Sequence, residues 1–215
     1  MLAATPHVRA DHPGVIPGEL AGRCHELNAQ LAEAGVALEV CQGGELDLDR
    51  ATAASDEELR LVSYRGKGTD LLVETPYGAL ADDFEERVLA LAARGFRLLL
   101  AHPERSEALR RDPARVAGLV AEGVLVQLTA RSLVASAVPS AVQEAAVALV
   151  TEGLAHVLAS DAHVATGRAP PDLARGVAVA SALVGPRAQW MASAAPAAIL
   201  AGEPLPQVPD LEASA

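Results

Sequence analysis

A chain of 215 residues with 51 % hydrophobic but only 2 % aromatic residues has enough apolar material for one domain with a sizeable core, built from Ala, Val and Leu. A formal charge of −11 and the scarcity of rings exclude a nucleic-acid groove, and no apolar run is long enough to span a bilayer. The first residues, Met1-Leu2-Ala3-Ala4-Thr5-Pro6-His7, lack the basic start of a signal peptide, so a cytoplasmic protein is expected; Cys24 and Cys41, in neither a CxxC pair nor a zinc ladder, read as reduced thiols.

Met1 to Ala4 reads as the tail of a strand, broken by Thr5-Pro6-His7. Glu19 to Ala34 is a helical stretch, with Leu20, Cys24, Leu27 and Leu31 on one face and Gly35 as its stop. Val36 to Cys41 is expected as a strand ending at Gly43-Gly44-Glu45. Residues 46 to 69 are polar and glycine-containing and give no clear periodicity. Asp70 to Glu74 is the next strand, and Asp82 to Arg94 a helix with capping-box spacing at Asp82 and Glu85. Arg97 to Ala101 is a strand running into His102-Pro103-Glu104-Arg105, and Asp112-Pro113 starts another helix. Val124 to Leu128 is a strand, Ser132 to Glu152 an Ala/Val-rich helix, and His156 to Ser160 a strand that ends in Asp161-Ala162-His163. Two Ala-rich helices, Pro171 to Val184 and Arg187 to Leu200, complete a domain over 1–202, with 203–215 as a frayed tail.

Strands alternating with helices imply a parallel sheet covered by helices. His7, Glu45, Glu74, His102, Asp161 and His163 each lie just past the carboxyl end of a predicted strand, and in a β/α barrel those ends converge on one face. Any one of these carboxylates more often caps the next helix, and a lone loop histidine usually does nothing specific. Together, however, mixed imidazole and carboxylate donors suit a divalent ion such as Mn²⁺, Zn²⁺ or Fe²⁺. His12, His25 and His156 fall outside the pattern and are expected to be structural or solvent-facing. Arg105 and Arg168 each follow a ligand motif closely, and a guanidinium beside such a rim is a fork for phosphate; the alternative is an ion pair with Glu104 or Asp161. Neither cysteine is followed six residues later by Arg, which sets aside a cysteine phosphatase. Arg65-Gly66-Lys67-Gly68-Thr69 lacks the Walker spacing, and no G-x-S-x-G elbow occurs.

With Ala4-Thr5-Pro6-His7, Gly44-Glu45, Leu72-Val73-Glu74, Ala101-His102-Pro103-Glu104-Arg105, Ser160-Asp161-Ala162-His163 and Gly167-Arg168 in view, the chain resembles the polymerase-and-histidinol-phosphatase (PHP) superfamily. Within it, the chain is most similar to the manganese-dependent tyrosine-protein phosphatases of bacterial capsule and exopolysaccharide synthesis. The resemblance spans Leu2 to Gly202 and implies a distorted TIM-like β/α barrel holding up to three metal ions. It further implies His7, Glu45, Glu74, His102, Asp161 and His163 as metal ligands, with Glu45 bridging two ions, and Arg105 and Arg168 as catalytic phosphate-holding residues. The implied reaction is metal-assisted hydrolysis of phosphotyrosine on a protein, the tail of an autophosphorylated bacterial tyrosine kinase. The family opens with an Asp-x-His-x-His strand and a helix, and no His-x-His occurs in this sequence. The barrel is therefore expected to be amino-terminally truncated by one strand and helix, from a start placed downstream or as a true short form. A sheet edge left open in this way could pair with a second copy as a homo-oligomer. Two further readings remain open: a small-molecule phosphomonoesterase of the same superfamily, and a non-catalytic truncated barrel that binds or regulates.

Overall fold

Leucine and valine dominate the longer strands and alanine the helices of the carboxyl-terminal half, in a computed structural model that describes residues 1–134, 140–164 and 172–210. The chain divides into two units, Met1–Thr75 with Ala81–Leu99 and Pro76–Leu80 with Leu100–Ala215. The strand pairings within each unit define a mixed α/β fold with parallel sheets.

In the first unit the elements in order are β1 (Leu2–Ala4), β2 (His7–Val8), α1 (Leu20–Glu33), β3 (Val40–Gln42), β4 (Glu45–Leu46), α2 (Leu48–Ala53), α3 (Asp56–Val62), β5 (Asp70–Glu74) and α4 (Phe84–Ala92). β6 (Arg97–Ala101) begins in this unit and ends in the second. β1 pairs with β3, and β2, β4 and β5 lie side by side, all parallel. β5 is buried along its whole length, and Leu59, Val62, Phe84, Val88 and Leu91 complete this unit's core. Each such side chain contributes about 1.5–3 kcal/mol by leaving water.

The expected strand Val36–Cys41 starts later than its composition suggests. Gly35 adopts a left-handed φ of 69°, and the Val36 N–H reaches back to the Leu31 carbonyl (2.8 Å), so these residues close the end of α1 instead of pairing. At Val40 the strand is seized by a side chain: the Asn28 amide donates to the Val40 carbonyl and accepts from its N–H, both at 2.8 Å. Residues 46–69, which showed no periodicity, hold two short helices. Asp47 caps α2 by accepting from the Arg50 N–H, and Ser55 with Glu58 forms a full capping box on α3. Glu58 is held well below the usual carboxylate range, at about 2, first by the Ser55 N–H and then by Arg50.

The second unit contains the end of β6, then α5 (Glu107–Arg111), α6 (Ala114–Ala121), β7 (Leu125–Thr129), α7 (Ala130–Leu133), α8 (Ala141–Thr151), β8 (Val157–Ala159), α9 (Leu173–Val184), α10 (Pro186–Ala192) and α11 (Ala194–Ala201). β7 and β8 are parallel, with Gln127 opposite Val157. The helix expected over Ser132–Glu152 is not continuous. α7 ends at Leu133 and α8 starts afresh after Ser140, whose side chain accepts from the Gln143 N–H; residues 135–139 lie outside the described residues. Likewise the stretch Arg187–Leu200 divides at Ser193, whose backbone leaves the helical region (φ −136°, ψ −67°). α9 crosses α7 at Gly176, where an added Cβ would stand 2.5 Å from the Ala130 carbonyl oxygen, so no larger residue fits without backbone movement. Beyond α11 the Trp190 indole donates to the Pro206 carbonyl (3.3 Å).

His156, expected to be structural or solvent-facing, takes a structural hydrogen bond. Its Nδ1 accepts from the Val126 N–H (3.2 Å) at the start of β8, and burial, aided by the Arg187 charge, pushes its pKa down to about 4.

Candidate metal centre

The first unit assembles its donors by interrupting two paired strands at the same level. β1 and β3 run in register from Leu2 opposite Val40 to Ala4 opposite Gln42; then Pro6, which has no N–H, and Gly43-Gly44 break both. Pairing resumes when the Glu45 N–H donates to the Pro6 carbonyl (3.0 Å), which sets His7 directly opposite Glu45. Only glycine fits at position 44, because a Cβ there would meet Val8 Cγ2 at 2.8 Å and Val62 Cβ at 3.1 Å. On its other side Glu45 is in register with Leu72, and Glu74, two residues further along β5, shares that face.

The result is a group in which one ligand atom each of His7, Glu45 and Glu74 lies within 4.8 Å of the others. Glu45 is 3 % and Glu74 6 % exposed. Such carboxylates are costly to bury unless paired or bound to a cation. Arg9 supplies part of that compensation, its Nη1 donating to Glu74 Oε2 at 2.9 Å while its Nε and Nη2 grip Asp11 at 2.7 and 2.8 Å. These hydrogen bonds, first to Asp11 and then to Glu74, hold the guanidinium charged, and Arg9 in turn holds Asp11 far below the ordinary carboxylate range. His12 joins Asp11 at 3.0 Å, and its ring tilts against that of His7 at a centroid distance of 5.3 Å. Two carboxylates and an imidazole converging from adjacent strands form a mixed O/N donor set that fits a divalent transition ion.

In the second unit the donors sit on strained backbone. Among the described residues the non-glycine positions with positive φ are Arg65, His102 and Asp161, so two of the three are expected metal ligands. His102 (φ 39°) ends β6 and donates its N–H to the Gln127 carbonyl at 2.7 Å; Asp161 (φ 48°) follows β8. Backbone held this way costs on the order of 1–3 kcal/mol per residue and persists where the surroundings over-determine it. His102 and Asp161 bring ligand atoms within 4.8 Å of each other. The Nδ1–H of His163, an exposed side chain, donates to the Asp161 carbonyl at 3.0 Å, which makes Nε2 its basic nitrogen.

Arg105 adopts the ion pair that the sequence left open, with Nη1 2.7 Å from Asp161 Oδ2. Burial opposes its charge, but Asp161 and the Tyr77 hydroxyl more than offset this and raise its pKa. Thr129 also donates its hydroxyl to Asp161 Oδ2 (3.3 Å). The neighbouring Glu104 is wholly buried. Its Oε1 accepts from the Thr129 N–H (3.0 Å) and the Ser132 hydroxyl (2.8 Å), fixing the end of β7, and burial raises its pKa. Arg168 lies outside the described residues. Sequence reasoning missed Arg9, Tyr77 and Thr129. The alternation His7, Arg9, Asp11 could have placed Arg9 on the donor face, whereas no spacing marks Tyr77.

These carboxylate and imidazole donors, on a mixed α/β scaffold with parallel sheets, are groups that could hold metal ions. The chain belongs to the family described as capsular polysaccharide synthesis, CpsB/CapC, whose model matches residues 1–198. It is 28 % identical over 165 residues to the tyrosine-protein phosphatase YwqE of Bacillus subtilis (strain 168), covering 75 % of this chain and 63 % of YwqE. It is 31 % identical over 98 residues to CapC of Staphylococcus aureus, covering 46 % of this chain and 38 % of CapC. The chain thus spans less than two thirds of the length of the curated relatives it matches. A solved structure from work on YwqE from Bacillus subtilis and CpsB from Streptococcus pneumoniae, described as metal-dependent tyrosine phosphatases, superposes with a TM-score of 0.77. That match has 25 % identity and covers 97 % of this chain and 84 % of the solved one. No helix among the described residues is long and apolar enough to cross a membrane.

Proposed function

We propose that this chain is a metal-dependent phosphatase that hydrolyses phosphotyrosine on proteins, in the cytoplasm, with the tail of an autophosphorylated bacterial tyrosine kinase of capsule or exopolysaccharide synthesis as substrate. The observation that carries this reading is the convergence of His7, Glu45 and Glu74 within 4.8 Å in a chain of the CpsB/CapC family. The names of YwqE and of the structural neighbour support the activity, and the PHP resemblance supports a distorted β/α barrel over 1–202 with 203–215 as a tail.

His7, Glu45 and Glu74 would hold metal in the first unit, and His102, Asp161 and His163 are assigned to metal in the second. Imidazole and carboxylate donors favour Mn²⁺, with Zn²⁺ or Fe²⁺ as alternatives. When bound, divalent ions supply Lewis acidity and a water that deprotonates near neutral pH.

The chain's own residues do the rest. Arg9 secures the Glu74 carboxylate, and Thr129 and Glu104 fix the level of Asp161. Arg105 is held beside Asp161, and with Asp161 as a metal ligand its guanidinium would be the fork for the phosphate oxygens, with Arg168 as the second. Neither cysteine takes part, since burial raises both thiols above their ordinary pKa.

The test is hydrolysis of a phosphotyrosine peptide by this chain with and without Mn²⁺, with Asp161→Ala as control. Turnover that requires Mn²⁺ and falls at least about 100-fold in the variant is expected. Equal turnover in both proteins would overturn the reading.

A further inference from the structure

Tyr77 stands apart from every residue assigned so far. It follows β5 by three positions, and its ring is parallel to that of His102, with centroids 5.5 Å apart and planes 5° from each other. Its hydroxyl lies 3.5 Å from Arg105 Nη1, and its carbonyl accepts from the Glu107 N–H (2.9 Å) at the start of α5. Held at three points, the residue is nevertheless 51 % exposed, in a chain with few aromatic rings. A ring held at the surface in a fixed orientation, beside an arginine, can offer its outer face to a second ring.

We infer that Tyr77 is the residue that selects aryl over alkyl phosphate esters, by stacking on the phenyl ring of a substrate whose phosphate is gripped by Arg105. The inference rests on the reading of Arg105 as a phosphate fork. An aryl ester carries its ring one oxygen away from phosphorus. A phosphate held at Arg105 therefore brings that ring alongside Tyr77, whose hydroxyl is in reach of the same guanidinium. An alkyl ester at the same place offers no π-face to the phenol. Offset or tilted packing of two rings adds a preference of about two- to tenfold beyond simple area burial. Tyr77 is thus a specificity residue and takes no part in bond cleavage. Its contact with His102 gives the ring a fixed backing, so the discrimination needs no ordering of a floppy side chain on binding.

The experiment compares phenylphosphonate with propylphosphonate, two ligands that cannot be hydrolysed, by calorimetric titration of the Mn²⁺-supplied chain. The unsubstituted protein should bind the phenyl compound about fivefold more tightly. Tyr77→Phe should keep that preference, and Tyr77→Ala should abolish it while leaving propylphosphonate affinity within about twofold, with folding of each variant verified by its melting curve. A preference that survives in folded Tyr77→Ala overturns the inference and leaves the phosphatase reading intact. Equal weakening of both phosphonates in Tyr77→Ala would make Tyr77 a support for His102 and also overturns it. Failure of the unsubstituted protein to bind either phosphonate removes Arg105 as a phosphate fork, and the inference falls with that reading.

Discussion

The two polar regions neutralise their charge in opposite ways. Around His7 stand the carboxylates of Glu45, Glu74 and Asp11, the last two bonded to the Arg9 guanidinium, and His7 and Glu45 lie opposite each other on strands paired in register. Around Asp161, one carboxylate meets one guanidinium directly, the neighbouring Glu104 has its pKa raised by burial, and two residues sit at positive φ. On the function proposed above, an added cation would stabilise the first arrangement. The second already pairs Asp161 with Arg105, and it stores conformational strain at His102 and Asp161.

The sharpest way to break this comparison is Glu45→Gln, which keeps the shape of the first region and removes one charge. Mn²⁺ affinity should fall by at least about 100-fold in a metal titration, while the melting temperature of the metal-free protein stays the same or rises. Gly44→Ala attacks the scaffold instead of the charge. Its Cβ would press on Val8 and Val62, and a loss of roughly 2–3 kcal/mol in denaturant unfolding is expected.

The second unit should lose stability between pH 7 and pH 4 through His156, at the start of β8. His156 protonates near 6.5 when unfolded and at about 4 when folded, so its contribution is complete above 6.5, declines as pH falls towards 4, and is level below that. The loss should be at most about 3 kcal/mol, and His156→Asn, which retains an acceptor for the Val126 N–H, should flatten the decline in urea melts at pH 7 and pH 4. The smallest effect is expected from Arg9→Met. It removes the guanidinium from Glu74 without touching a donor, and should alter Mn²⁺ affinity by about tenfold in the same titration.

Strands were legible where one segment carries its own signal. β5 and β6 have the bounds their apolar runs indicate, since both are almost wholly buried and flanked by polar residues. That carboxylates and imidazoles stand at or just past strand ends was also legible, because such a residue directly after an apolar run is conspicuous. The late start of β3 was not, since it depends on Asn28 and on the way Gly35 closes α1. The capping box at Ser55 was readable but lay in a stretch without hydrophobic period. Arg105 illustrates a different limit: the sequence shows a guanidinium near a rim, but only tertiary geometry decides that its present partner is Asp161. Tyr77 gave no signal, since its importance comes from what it stacks on.

His7, Glu45 and Glu74 come from three strands roughly thirty to forty residues apart in sequence, each joined to the next only by parallel pairing. No local fragment can therefore hold the group. Loop closure must precede any reward from the donors, so a metal held there would capture only chains that have already found their register, and refolding rates should be nearly independent of Mn²⁺ while unfolding slows with it.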